Sequence, residues 1–315
     1  MNYKTLLKMT IAAALLPAMS VSASPVDDSF YPYNESTPNY PGLTPGMTLT
    51  ADNIGQFPGV IDSEMAAAIA AGDVQIKVGK TTSFDLHPNY VKATRENTGN
   101  VKLGEQVGEI NGWVAGRPFV NEPAQDDPRA GEKLAWNYKY GYNWGDNAAI
   151  YPFYWKYRNM ESGAIERTLK FNLPFLNYQE RVNQQPLPNI EPNPSNLYRS
   201  IYVQVLAPYD VKNTQLLIQR NADDLKRDNA WLYLGFQRRV RRLATGQVTD
   251  AFLGSDIMIE DFEGYNGRVS DMKWNFIETK NVLLPFYNHN DMELDTETHN
   301  HSDGYQVAAF SGKGG

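Results

Sequence analysis

The sequence contains no cysteine. This absence excludes disulfide bonds, catalysis by a thiolate and the lipid-modified cysteine that anchors a bacterial lipoprotein. The sequence also lacks an apolar run long enough to span a membrane, because its best candidate, Met9–Met19, is too short. We therefore expect the mature protein to be soluble and to have no stable membrane span.

The first 23 residues have the pattern of a secretory signal peptide. Lys4 and Lys8 precede the apolar stretch Met9–Met19, and the small-residue motif VSA before Ser24 is suited to cleavage. Cleavage removes two lysines and no acid, so the formal charge changes from −7 to −9. Such an acidic chain argues against nucleic acid as a partner. We predict a periplasmic protein that is exported by a cleavable signal and is not a lipoprotein.

Familiar catalytic and metal-binding motifs are missing as well. The chain has no G-x-S-x-G, H-E-x-x-H or calcium-loop pattern, and its final GKGG lacks the spacing of a phosphate-binding loop. Three of the four histidines, His289, His299 and His301, lie among acidic residues. A metal site is conceivable there, but a solvated polar loop is the favoured interpretation. We therefore predict no metal, no cofactor and no catalytic residue.

Several segments precede the clear β pattern. They are predicted as an extended N-terminal arm over 24–46, a helix capped by Asp62 or Ser63 and ended by Gly72, a second helix over 88–97, and a flexible flap over 182–196. In the second helix, Tyr90, Val91 and Thr94 share one side. Residues 131–142 fit either a helix or a strand.

Alternation of polar and apolar residues predicts β-strands in the rest of the chain. The predicted strands are 150–158, 164–173, 200–206, 211–220, 231–236, 237–243 and 268–279. Short turns join the last five, which predicts an antiparallel meander whose edges must be paired, closed or covered. The predicted fold class is mainly β with helices (α+β), in a single carrier-like domain over 47–315.

Four closely spaced arginines fall on both faces of one predicted strand. Period 2 places Arg239 and Arg241 together on one face. Interior guanidinium groups need carboxylate partners, and Asp250, Asp256 and Asp261 follow within the reach of one loop. We therefore predict a structural ion-pair network of these five residues and favour it over an anion-binding site.

Apolar and aromatic residues surround this arginine strand. Trp231, Tyr233, Phe252, Ile257 and Trp274 are the predicted ligand-binding residues of a hydrophobic cavity. A sheet that encloses a cavity uses such side chains, although an ordinary core uses them too.

Three carboxylates of the same region, Asp256, Glu260 and Asp261, suggest a glycosidase-like pair of an acid and a nucleophile. Such pairs usually come from separate strand ends, whereas these residues are close in sequence. The nearby arginines favour a structural role for them.

Long segments of the chain resemble an uncharacterised bacterial family, the domain of unknown function 1329. They are NIGQFPGVIDSEMAAAIAAGDVQIKVG, AGRPFVNEPAQDDPRAGEKLAWNYKY, YVQVLAPYDVKNTQLLIQR and WLYLGFQRRVRRLATGQVTDAFLGSDIMIEDFEGY. The resemblance spans most of the mature chain. At superfamily level the family is similar to the periplasmic lipoprotein-sorting (LolA/LolB-like) carriers. This similarity implies an incomplete antiparallel β-barrel, a half-barrel that wraps helices and holds acyl chains in a hydrophobic cavity.

The resemblance also bears on partners and length. Family members often accompany resistance-nodulation-division type exporters, which implies that cargo passes between an inner-membrane transporter and this carrier. The resemblance transfers no catalytic residue. Members usually continue with further strands beyond the last residue of this chain, so the domain is expected to be truncated at its C-terminal end.

The export signal, the meander, the aromatic lining and the resemblance together predict a function. We expect a non-enzymatic periplasmic carrier for a lipid, a lipoprotein or another hydrophobic small molecule. Two alternatives stay open. One is an envelope hydrolase that uses Asp256 or Glu260 with the histidine-rich loop, and the other is a structural adaptor that docks to a transporter through its N-terminal arm.

Overall fold

The computed structural model describes residues 24–30, 40–79, 86–159, 161–243, 251–284, 299–300 and 306–307 of the chain. The α-helices in these ranges are α1 (Pro25–Phe30), α2 (Ser63–Ala71), α3 (Pro88–Asn97) and α4 (Ala130–Lys139). Single 3₁₀ turns lie at Ile54–Gln56, Phe252–Gly254, Ile259–Asp261 and Val269–Asp271. None of the helices in the described part is long and apolar enough to cross a membrane.

The strands form one large sheet and three two-stranded pairs within the same ranges. The pairs are β1 (Thr48–Leu49) with β2 (Ile76–Lys77), β3 (Lys102–Leu103) with β4 (Ile110–Asn111), and β11 (His299–Asn300) with β12 (Gln306–Val307). The large sheet consists of β5 (Asn147–Arg158), β6 (Ile165–Asn177), β7 (Leu197–Ala207), β8 (Gln215–Asn221), β9 (Asn229–Leu234) and β10 (Arg239–Arg242).

The large sheet is an antiparallel meander in which each strand pairs with its neighbour in sequence, from β5 at one edge to β10 at the other. The meander predicted from the alternating pattern is confirmed for these strands. The predicted strand over 268–279 is wrong, because the segment forms a 3₁₀ turn followed by irregular chain. Its Val269 and Ser270 N–H groups donate to the buried Asp224 carboxylate at 3.2 and 2.7 Å instead of to a neighbouring strand.

One face of the large sheet, called the apolar face, carries a hydrophobic cluster. Its buried members are Leu169, Phe171, Leu173, Ile201, Val203, Val205, Leu216, Ile218 and Ala230. No residue of a described α-helix belongs to this cluster; Leu253, Ile259 and Phe262 of the following chain pack against it. The fold is therefore mostly β, with a six-stranded antiparallel sheet and few helices. A half-barrel that wraps helices is not seen in these residues.

The two predicted helices of the first third are confirmed. At the start of α2, the Asp62 carboxylate accepts the Met65 N–H at 2.9 Å, and the left-handed Gly72 ends the helix at a φ of 84°. Helix α3 buries Tyr90, Val91 and Thr94, the side that its amphipathic pattern predicts. Residues 131–142, which fitted either type of element, contribute to α4.

The extended arm predicted for residues 24–46 is wrong over Pro25–Phe30, which form α1. Val26 is buried, and the Arg117 guanidinium lies 4.2 Å from the centre of the Phe30 ring. Such contacts anchor the helix to the body of the protein. Residues 31–39 lie outside the described ranges.

The proline-rich connection over 182–196, predicted as a flexible flap, is pinned at its start. The buried Asp146 carboxylate accepts the N–H groups of Val182, Asn183 and Gln184 at 2.9, 2.7 and 2.6 Å. Arg181, 3% exposed, donates to four backbone carbonyls around the same turn. These charge-assisted bonds hold the connection in one conformation.

Candidate functional site

The apolar face is covered by a short piece of chain, residues 252–262, called the strap. Leu253, Ile259 and Phe262 point from it onto the hydrophobic cluster, and the Phe262 ring lies 5.5 Å from the Trp155 ring. The Tyr157 hydroxyl donates to the Leu253 carbonyl at 3.0 Å. The strap contains only single 3₁₀ turns, so its cover consists of a few side chains on irregular backbone.

At one end of the apolar face, the side chains on the same side of the sheet are polar or charged. Asn177 pairs with Arg199, and Arg199 pairs with Arg220, across β6, β7 and β8. These three residues are called the polar row. Arg199 precedes Ile201 by two positions and Arg220 follows Ile218 by two, so the two arginines form the next inward-facing pair after Ile201 and Ile218. Because side chains alternate along a strand, the polar row faces the same side as the hydrophobic cluster.

Arg220 is the centre of a buried ion-pair network. Its Nη1 donates to Asp228 at 2.6 Å, and its Nη1 and Nη2 donate to the two oxygens of Glu260 at 3.2 Å. Burial lowers the pKa of Arg220, but Asp228 and Glu260 outweigh burial and raise the pKa above its usual value. The network ties the strap to the sheet through Glu260.

The predicted network around Arg239 and Arg241 differs from this one. Both arginines are exposed on the edge strand β10, and Arg241 donates to Gln237 at 2.8 Å. Within the described part of the chain no ion pair joins either arginine to Asp256 or Asp261, and Asp250 lies outside it. Asp261 instead accepts the Met258 N–H at 2.9 Å. The prediction of an arginine–carboxylate network was therefore placed on the wrong strand.

A small cleft of about 30 Å³ opens beside the polar row. Its walls include Lys139, Tyr198, Arg199, Arg220 and Arg268. Lys139 forms a buried ion pair with Asp224, and Arg268 pairs with Asp271. Burial raises the pKa of Tyr198, which Arg199 only partly opposes. The cleft is thus lined by cations, most of which already have carboxylate partners, and by the carboxylates of Asp228 and Glu263.

Glu180 has an unusual backbone conformation, with a φ of 66°, and its carboxyl group is attracted by Arg199 and Lys139, two residues that line this cleft. Burial raises the pKa of its carboxyl group well above the usual value, against the attraction of Arg199 and Lys139. The carboxyl group therefore keeps its proton to higher pH than an exposed glutamate. In that state it neutralises less of the charge on Arg199.

The structure does not bring the five predicted cavity residues to one wall, so that prediction is wrong for the side chains it describes. Leu232 packs on the hydrophobic cluster, which places its neighbours Trp231 and Tyr233 on the opposite face of β9. Ile257 is 39% exposed. Trp274 packs instead in a cluster around α4, and the side chain of Phe252 is outside the description.

The residues of the hydrolase alternative are not assembled either. Glu260 is held by Arg220, and Asp256 is exposed on the strap. The side chains of His289, His299 and His301 lie outside the described part of the chain. Within that part, no group of three or more His, Asp or Glu residues is placed to hold a metal ion.

A second hollow is an open groove of about 530 Å³ between α1 and α3. Val26, Thr98 and Val120 contribute to its walls, and the Asp27–Arg95 ion pair lies in it. Ligand sites bury most of the ligand surface. Because this groove is open along its length, the apolar face and its polar row form the better candidate site.

Sequence reasoning missed two important residues of this site, Arg199 and Glu180. Arg199 precedes Ile201 by two positions, so the alternation that predicted β7 also places its side chain inward. That signal was present in the sequence. Glu180 follows the end of β6 and turns inward through its left-handed conformation, which no residue pattern indicates.

The fold and the site together define a mostly β protein with one sheet face covered by irregular chain. The family model described as "Protein of unknown function (DUF1329)" matches residues 48–309, and the chain belongs to this family. No curated protein matches the sequence.

Two solved structures are similar to parts of the chain. A DUF1329 family protein from Desulfovibrio piger is 19% identical, with a TM-score of 0.34, over 46% of this chain and 52% of that one. A domain from Vibrio parahaemolyticus, provisionally described as an outer membrane lipoprotein-sorting protein domain, is 20% identical, with a TM-score of 0.29, over 41% and 44%. The chain thus spans about half the length of these structures.

Proposed function

We propose that the protein is a non-enzymatic carrier that binds a lipid or another hydrophobic cargo on the apolar face of its six-stranded sheet. The observation that carries this proposal is the nature of the cover. An ordinary core of this size is closed by a helix or a second sheet. Among the described residues, the cluster is instead covered from outside the strands by Leu253, Ile259 and Phe262 of the irregular strap, with Val211 and Leu243 at its edges.

The apolar burial that the strap gives can be compared with that of a hydrocarbon cargo. Three partly buried side chains contribute at most about 9 kcal/mol if each contributes its full ~3 kcal/mol. A hydrocarbon chain of about 15 methylenes contributes roughly 12 kcal/mol at 0.8 kcal/mol each. A long acyl chain therefore offers more apolar burial than the strap side chains whose place it takes, and this excess works against the ion pair that holds Glu260 on Arg220.

The signal-peptide pattern supports a function in the periplasm, where the apolar part of a lipid must be bound by a protein to avoid contact with water. An exporter of the resistance-nodulation-division type remains a proposed source or acceptor of the cargo, since it rests on the resemblance alone. A carrier needs no catalytic group, which fits the engagement of Glu260 with Arg220.

The first test is the binding of a neutral apolar ligand. Hexadecanol is titrated into the delipidated full-length mature protein, and mass spectrometry of gently purified protein identifies bound lipid. We expect saturable binding and a co-purified lipid. A protein that purifies empty and does not bind hexadecanol would contradict the carrier function.

A strap variant sharpens this test. Phe262→Ala removes a competitor for the apolar face, so we expect hexadecanol to bind about tenfold more tightly if about 1.4 kcal/mol of strap contact is lost. The matched control is Phe236→Ala in the β9–β10 turn, where the ring is 74% exposed. Unchanged or weaker binding by Phe262→Ala would show that the strap is not exchanged for the ligand.

A further inference from the structure

The polar row gives the apolar face a distinct head and tail. Arg199 and Arg220 lie next to each other across β7 and β8, and Ile201 and Ile218 form the next inward-facing pair. From Arg199 the apolar face continues along β7 to Val205, which is roughly 20 Å of strand at about 3.4 Å per residue. A charged end and a long apolar stretch thus lie on one continuous surface.

The two arginines at this end have donors without acceptors. Arg199 is 7% exposed, and its Nε donates to the Asn177 side chain at 2.7 Å. No carboxylate of the described residues lies within ion-pair distance of Arg199. Arg220 is also 7% exposed, and its buried Nε has no hydrogen-bond partner there. Buried donors are almost always paired, so an unpaired one needs an explanation.

The cleft that Arg199 and Arg220 line limits the size of a polar group that they could bind. Both arginines line it, and its volume is about 30 Å³. This space accommodates roughly two water-sized groups, which corresponds to the two oxygens of a carboxylate. Arginine binds carboxylates through parallel N–H bonds from its planar guanidinium group.

The strap presents a similar combination of groups to the same surface. Glu260 places its carboxylate against Arg220, while Ile259 and Phe262 on either side of it pack on the hydrophobic cluster. An acid joined to apolar groups is therefore already accommodated by this face of the sheet.

We propose that the cleft beside Arg199 and Arg220 binds the carboxylate of an acidic amphiphile whose hydrocarbon tail lies along the apolar face. This inference rests on the proposed carrier function and assigns its cargo to a chemical class, the long-chain carboxylic acids.

The test compares hexadecanoate with hexadecanol by titration calorimetry at neutral pH, using the full-length mature protein. We expect the acid to bind the unmodified protein at least tenfold more tightly than the alcohol. Arg199→Gln is expected to abolish this preference and to leave the affinity for the alcohol unchanged. Arg239→Gln, a change of an exposed arginine on β10, is the matched control and keeps the preference.

Two results would overturn the assignment. One is equal affinity of the unmodified protein for acid and alcohol, and the other is an equal loss of both affinities in Arg199→Gln, which marks the arginine as structural. If Arg199→Gln does not fold, Arg199→Lys retains the charge without the planar fork, and a reduced preference for the acid supports the proposal. An unchanged preference in that variant contradicts it.

Butyrate separates this proposal from the carrier function. If neither long-chain ligand binds, the carrier function fails. Butyrate binding that Arg199→Gln abolishes then supports a carboxylate site in the cleft but overturns the amphiphile. No butyrate binding in that case overturns the cleft as well.

Discussion

At the scale of single residues, the polar end of the sheet is organised by buried charges with fixed partners. The Asp224 side chain has no exposed surface, pairs with Lys139, and accepts the N–H groups of Val269 and Ser270. One carboxylate therefore joins α4 to the segment after the strap. Removing its charge leaves Lys139 buried without a partner, and breaking such a pair is far more costly than losing an exposed one.

We predict that Asp224→Asn lowers the free energy of unfolding by about 3 kcal/mol. The matched control is Asp223→Asn, the neighbouring acid, whose pair with Lys226 at 3.4 Å is largely exposed; its expected effect is below about 1 kcal/mol. Urea titration followed by tryptophan fluorescence measures both. Equal effects of the two substitutions would contradict the structural role assigned to Asp224.

The ion-pair network shows which part of the candidate site can be predicted from the sequence and which part cannot. Composition and spacing predicted an ion-pair network of Arg239 and Arg241 with Asp250, Asp256 and Asp261, but among the described residues the network forms around Arg220 instead. The pattern does not reveal which strand lies at the edge of the sheet, however. Strand β10 is that edge, so Arg239 and Arg241 are exposed to solvent. Arg220 lies in the interior strand β8 and forms the ion pair with Glu260.

At the scale of elements, local patterns predicted those helices and strands whose hydrogen bonds are local or regular. Helix α3 and the meander β7–β10 are of this kind. The segment 268–279 alternates like a strand, but its N–H groups bond to a carboxylate more than 40 residues earlier in the chain. Its backbone also lies against α4, where a Cβ on Gly131 would be 2.6 Å from the Trp274 carbonyl carbon. Such long-range contacts override local pattern.

The contact of α3 with the loop after it depends on one glycine. Gly116 has a φ of 86°, and a Cβ there would be 2.5 Å from the Thr94 nitrogen. Thr94 Oγ1 accepts the Arg117 N–H at 2.8 Å and donates to the Tyr90 carbonyl at 2.9 Å. The loop thus continues the hydrogen bonding of the helix at a distance that only glycine permits.

We predict that Gly116→Ala destabilises the protein more than a conformationally similar change. Gly59 also has a positive φ, 74°, but a Cβ there meets no atom within 4 Å. Gly59→Ala should cost about 1 kcal/mol for the left-handed backbone alone, and Gly116→Ala a further ~1–3 kcal/mol for the clash with Thr94. Thermal unfolding measures the melting temperatures of both variants, and we expect the lower one for Gly116→Ala. Similar melting temperatures would argue against the close packing at Thr94.

At the scale of the whole molecule, the proposed carrier function assigns different roles to the sheet and the strap. The six strands give a surface with its own ladder of hydrogen bonds, which does not depend on what covers it. The strap contributes few backbone hydrogen bonds, such as Asp261 N–H to the Met258 carbonyl at 3.1 Å and Phe262 N–H to the Ile259 carbonyl at 3.4 Å. Segments with few such bonds open at low free energy.

This division predicts the response of the molecule to cargo, measured by hydrogen–deuterium exchange with mass spectrometry. Saturating hexadecanoate should speed exchange in the strap, because the acyl chain takes the place of Leu253, Ile259 and Phe262. Exchange in β7 and β8 should slow, because a ligand that binds the folded state stabilises it. The β9–β10 turn around Phe236 serves as an internal reference and should not change. Greater protection of the strap would mean that the ligand binds without displacing it, and that the strap is a fixed part of the fold.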